Sequence, residues 1–104
     1  MEIYDNNKHD IRSAINSGNA ICIQFSAKWC GPCKRITPDI NKLAEENKTV
    51  NFYYVDVDDY GEIASKFSIA QLPTFMFFKG GNEATQRITG ANLQIVKQII
   101  QSIK

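Results

Sequence analysis

Phe25-Ser26-Ala27-Lys28-Trp29-Cys30-Gly31-Pro32-Cys33-Lys34 joins two unlike patterns of sequence. Before it, Ala20 to Ala27 carries Ile21, Cys22, Ile23 and Phe25 in a nearly continuous apolar run, the pattern of a strand covered on both faces. After it, Ile36, Ile40, Leu43 and Ala44 recur at helical spacing until Glu45-Glu46-Asn47-Lys48 ends the repeat, so a long helix follows the two cysteines. Pro38 lies inside that helix, cannot donate to the Lys34 carbonyl, and is expected to kink it. A buried strand that turns straight into a helix opens a parallel βαβ unit, and this decides the fold class.

Working outward, Ile11, Ala14 and Ile15 mark a short amphipathic helix that stops at Ser17-Gly18-Asn19. Downstream, Asn51 to Val57 reads as a second strand rich in aromatic and β-branched residues, and Ile63, Ala64 and Phe67 mark a short helix. Two further strands, Thr74 to Lys79 and about Ala84 to Thr89, are joined through Gly80-Gly81-Asn82, a hairpin composition. Leu93, Val96, Ile99, Ile100 and Ile103 form an amphipathic helix at the end of the chain. The order predicts an α/β protein: a three-layer α/β/α sandwich with a central mixed sheet flanked by four helices, one domain over residues 1–104.

Twelve basic and eleven acidic residues leave a formal charge of +1, so no global field favours nucleic acid, an anionic membrane or a polyanionic substrate. The longest apolar runs, such as Phe75-Met76-Phe77-Phe78, fall far short of the ~20 residues of a membrane-spanning helix. Met1 to Asp10 lacks the basic start and apolar stretch of a secretory signal, and a cytoplasmic location is expected, with an organelle left open for a precursor that has lost a targeting segment. Three cysteines are too few and too uneven for the disulfide framework of a small secreted domain.

The cysteine pair sits where orphan N–H groups and the helix dipole favour negative charge, which stabilises a Cys30 thiolate. Two intervening residues let Cys33 reach Cys30 and expel a substrate thiol from a mixed disulfide, so Cys30 attacks and Cys33 resolves. Pro32 in the first helical turn forfeits no hydrogen bond and fixes the local backbone. Two other readings of a CxxC stay open on the residues alone. A zinc site needs about four ligands, and only Cys22 and His9 stand beside the pair. A structural disulfide closing so short a loop removes little unfolded-state entropy.

The run from Phe25 to Lys34, then Val55-Asp56-Val57-Asp58, Pro73-Thr74-Phe75 and Gly90-Ala91-Asn92, resembles the thioredoxin family in order and spacing across essentially the whole chain. The resemblance implies the thioredoxin fold and a protein-disulfide reductase that maintains redox homeostasis through Cys30 and Cys33. It also implies a cis bond between Leu72 and Pro73 that faces the pair, with the Leu72 backbone, Pro73 and Thr74 presented to an extended substrate. Gly90 and Ala91 would border the same groove, Trp29 and Pro32 would form its apolar rim, and Asp58 would lie near Trp29. Gly31 and Pro32 match reducing members of the family, whereas an oxidant or isomerase carries His at the second position. The resemblance further implies that the chain holds no cofactor and no metal, is expected to act as a monomer, and is regenerated by a flavin-containing, NADPH-dependent thioredoxin reductase. Peroxiredoxin and ribonucleotide reductase are the recipients it suggests.

Two positions depart from the family. Gln24 stands five residues before Trp29, where thioredoxins usually carry a buried aspartate, and Tyr54 takes the place of the usual charged neighbour on the facing strand. A carboxylate can accept the proton that Cys33 must lose, while an amide can only orient a thiol or water, so the resolving step is expected to be slower. The departure keeps a second reading alive, a binding or chaperone-like module with the same fold and little turnover. Cys22 shares a face with Gln24 and is expected to be an inert core thiol. His9 is read as a solvated surface residue, and Lys34, with Lys28 and Arg35, as a solvated cation that could also modulate Cys30.

Overall fold

The computed structural model describes all 104 residues. The elements are β1 (Glu2–Ile3), α1 (Ile11–Asn16), β2 (Ala20–Ser26), α2 (Gly31–Glu46), β3 (Val50–Asp56), α3 (Gly61–Lys66), β4 (Thr74–Lys79), β5 (Asn82–Glu83), β6 (Ile88–Thr89) and α4 (Leu93–Ile103). The strands form one mixed sheet in the order β1-β3-β2-β4-β5, with β6 also on β4. β2 pairs in parallel with β3 and antiparallel with β4, and β1 adds in parallel to the outer edge of β3.

All seven residues of β2 are buried, as its unbroken apolar run requires of a central strand. Alternation along it divides the core. Ala20 and Cys22 join Phe52, Phe75 and Phe77 beneath Ile36, Ile40 and Leu43 of α2 and Val96, Ile100 and Ile103 of α4. Ile21, Ile23 and Phe25 face the other way, with Val55, Met76 and Phe78, against α1 and α3. These two apolar layers make the three-layer α/β/α sandwich with four helices.

α2 runs from Gly31 to Glu46 as one helix through Pro38, and ends where Asn47 Nδ2 donates to the Leu43 carbonyl at 2.9 Å. The hairpin after β4 turns on Gly80 and Gly81, both at positive φ (67° and 87°), between the paired Lys79 and Asn82. That is the two-residue type I′ geometry, which needs residues without a Cβ penalty.

The strand expected over 84–89 is corrected: within that range only Ile88–Thr89 is strand, and β5 lies before it at Asn82–Glu83. Bonding to β4 lapses after the Ala84 N–H donates to the Phe77 carbonyl at 2.8 Å, and pairing resumes at Ile88 two residues out of the earlier register. Thr85 and Gln86 are exposed and offer no apolar side chain to hold a ladder. Arg87 fastens the loop instead, donating to the Phe67 carbonyl and lying 4.0 Å from Glu83. β1 is an addition that no periodicity announced, being two residues long with Ile3 73% exposed.

Candidate active site

Cys30 lies just beyond the C-terminal end of β2 and is the N-cap of α2, in extended conformation (φ −83°, ψ 110°). Its Sγ accepts the Cys33 N–H at 3.3 Å, the position a capping oxygen usually fills. A sulfur that already receives an orphan N–H at a helix start is placed to carry negative charge as a thiolate. Gly31 and Pro32 occupy the first helical positions, where a missing N–H breaks no helical bond. The two sulfurs are joined, with Cα atoms 5.3 Å apart. Cys33 is 1% exposed and Cys30 5%.

Cys30 opens on a groove of about 440 Å³ lined by Trp29, Gly31, Pro32, Val57, Ile69, Ala70 and Leu72. Trp29, 68% exposed, forms its outer wall and is pinned by its Nε1, which donates to Asp58 Oδ2 at 2.9 Å. The Leu72–Pro73 bond is cis. Ile69 and Ala70 had no signal in the sequence, and Val57 stood in a motif without being read as a groove residue; all three come to the groove through the packing of β3 and the segment after α3.

The other expected site residues fall at different distances from this groove. Pro73 is buried, and its carbonyl accepts the Gly90 N–H at 2.8 Å, with Gly90 at φ 90°. Gly90 and exposed Ala91 therefore stand beside Pro73, beyond the residues that line the groove. Thr74 is buried, and its hydroxyl donates to the Gln71 carbonyl at 2.6 Å. Lys34 turns away from the groove into a separate cavity of about 760 Å³ with Lys28, Thr37, Tyr54 and Asp59.

Gln24 is wholly buried on the β2 face turned to α2. Its Nε2 donates to Thr37 Oγ1 at 3.0 Å and to Ser26 Oγ at 3.3 Å, and Thr37 Oγ1 donates to the Cys33 carbonyl at 2.7 Å. Thr37 is a residue the sequence reading missed; its only signal is a hydroxyl one helical turn after Cys33. Tyr54 pairs with Gln24 across the β2–β3 ladder. Cys22 is in the core, where desolvation pushes its thiol well above the ordinary value.

His9 corrects the expectation of a solvated residue. Its side chain is 18% exposed, packs edge-on against Tyr53, and accepts the Asp5 N–H on Nδ1 at 3.1 Å.

The thioredoxin family model matches residues 2–103. Thioredoxin-2 of Saccharomyces cerevisiae is 45% identical over 91 residues, 86% of each chain. The structure of Fasciola hepatica thioredoxin superposes with a TM-score of 0.89 at 39% identity, covering both chains completely. A chain from a structure of thiol resolution in yeast mitochondrial 1-Cys peroxiredoxin via the glutathione/thioredoxin systems gives a TM-score of 0.87 at 29% identity, over 98% of this chain and 94% of that one.

Proposed function

The chain belongs to the thioredoxin family, and from that premise we propose how its own residues divide the work of disulfide reduction. It is a thiol–disulfide oxidoreductase that reduces protein disulfides through the Cys30–Cys33 pair. In our reading Cys30 is the nucleophile. Its thiolate attacks one sulfur of a substrate disulfide, forming a mixed disulfide, and the other substrate sulfur leaves with the electron pair and takes a proton. Cys33 loses its proton and attacks Cys30 Sγ. The Cys30–substrate bond breaks, the second substrate sulfur leaves, and the pair is oxidised.

The single observation that carries this order is the position of Cys30 Sγ, lining the groove and accepting the Cys33 N–H at the helix start. Cys33 lies deeper, as a resolving thiol should. Trp29, Gly31, Pro32 and Leu72 are read as substrate contacts because they share that groove, with Pro73 and Thr74 setting the backbone of Leu72, and Gly90 and Ala91 extending the surface past Pro73.

Thioredoxins act with a thioredoxin reductase and with disulfide-bearing proteins. For this chain, regeneration by a flavin-containing, NADPH-dependent reductase is the partner proposed, with peroxiredoxin and ribonucleotide reductase as recipients. The likeness to the chain from the peroxiredoxin study supports the first of these recipients. A cytoplasmic setting is proposed on the three cysteines, too few and too uneven for the disulfide framework of a small secreted domain. Action as a monomer is proposed with it.

Insulin disulfide reduction driven by dithiothreitol tests the reading. The native protein should accelerate it and Cys30→Ser should abolish the acceleration. A native protein with no effect would favour the binding module instead, whose biological effect survives replacement of both cysteines by serine.

A further inference from the structure

The two ends of the Gln24 amide are treated unequally. Nε2 donates to Thr37 and Ser26, whereas Oε1 is the one buried side-chain nitrogen or oxygen in the protein without a hydrogen-bond partner. The amide is held this way round by its neighbour. Thr37 Oγ1 directs its single proton to the Cys33 carbonyl, so toward Gln24 it can only accept, and it must meet the NH₂ end. A buried acceptor left unpaired is destabilising and calls for a donor.

Cys33 can provide that donor in its other redox state. It is buried at the start of α2, one turn before Thr37 and on the same helix face, the face that Thr37 turns to Gln24. With the sulfurs joined, neither carries a proton. Two-electron reduction breaks the S–S bond, and Cys33, 1% exposed, acquires an S–H whose nearest acceptors are buried groups.

We propose that Gln24 Oε1 accepts the Cys33 S–H of the dithiol and mixed-disulfide states, so that the buried polar network is complete only while Cys33 is reduced. The proposal rests on dithiol–disulfide exchange through Cys30 and Cys33 and assigns Gln24 its part in it. Two consequences follow from the chemistry of an amide. The acceptor stabilises the dithiol over the disulfide, which makes the protein a weaker reductant than the same fold without it. It also keeps the proton on Cys33, because an amide does not titrate. When Cys33 attacks Cys30, that proton goes to solvent or to the departing substrate thiolate, and the S–H···Oε1 bond is lost as the disulfide forms.

The test uses the full chain in equilibrium with set ratios of reduced and oxidised glutathione. Gln24→Met keeps the length of the side chain and removes the acceptor. It removes the contacts to Thr37 and Ser26 in both redox states alike, leaving the S–H bond as the redox-dependent difference. The expected result is a shift of the equilibrium toward the disulfide by about fivefold, or about 20 mV in the reducing direction. In the reduced native protein the infrared S–H stretch of Cys33, assigned by its loss in Cys33→Ser, is expected at lower frequency than in Gln24→Met. An equilibrium constant moved by less than about twofold or toward the dithiol, as a water held on Oε1 in both states would give, overturns the proposal. An unchanged S–H frequency does the same. A native protein that does not exchange with glutathione at all overturns the reductase reading itself.

Discussion

Gln24 and Cys22 alternate on one face of the central strand, and both are buried, but only Gln24 reaches polar neighbours. Gln24→Asp puts a titratable acceptor where the amide stands, and is expected to speed the resolving step near neutral pH by about an order of magnitude or more, measured as decay of the mixed disulfide. Burial disfavours the charged carboxylate, so the same change is expected to lower unfolding free energy by about 1–3 kcal/mol. The folded state then holds its proton more tightly than the unfolded chain, so the loss grows as pH rises past the ordinary carboxyl range. Equal rates and equal denaturant midpoints at pH 5 and pH 8 would contradict both parts. Cys22 gives a second pH dependence. Its thiol is raised by desolvation from an ordinary value of 9.0, so above that pH the unfolded chain releases a proton that the folded one keeps, and stability falls with a slope of up to about 1.4 kcal/mol per pH unit. Cys22→Ala should remove that slope between about pH 9 and 10, and a slope that persists would assign it to the tyrosines.

Among the elements, α4 shows how a local signal and a tertiary one combine. Asn92 Oδ1 accepts the Ile95 N–H at 3.2 Å and starts the helix whose Val96, Ile100 and Ile103 cover the sheet. Asn92→Ala should cost about 1 kcal/mol, and thermal unfolding should register it as a midpoint lowered by roughly 4–8 °C. An unchanged midpoint would mean that packing alone holds the helix end. β2, α2, β3, β4 and α4 were legible because each buries a repeating apolar face, which leaves a period in the sequence. β1 left none, since Ile3 is exposed and only the edge of β3 recruits it. The lapse between β5 and β6 was hidden for the opposite reason: Ala84 to Arg87 has a polarity compatible with an edge strand, and the two-residue slip accompanies a long-range bond from Arg87 to Phe67 that no local pattern encodes. In the site, Cys30, Cys33 and Trp29 were readable from one contiguous motif. Val57, Ile69 and Ala70 join it from distant segments, and Thr37 matters through a hydroxyl bond to a carbonyl that no pattern encodes.

For the whole molecule, near-neutral charge and a groove with apolar walls imply that partners are met by shape and backbone pairing more than by long-range attraction. Raising salt from about 50 to 300 mM is therefore expected to change kcat/KM for a neutral disulfide peptide by less than about twofold; a steep fall would reveal a steering field. The sandwich serves the chemistry by fixing two depths: Cys30 at the floor of the open groove, and Cys33 buried behind it with its carbonyl held by Thr37. The measurement that tests this division most directly is trapping of the mixed disulfide. Cys33→Ser incubated with a disulfide-bearing protein, then mapped by mass spectrometry, should accumulate the substrate on Cys30, while Cys30→Ser accumulates none. A stable adduct on Cys33 in Cys30→Ser, or none on Cys30 in Cys33→Ser, would contradict the assignment of nucleophile and resolving thiol.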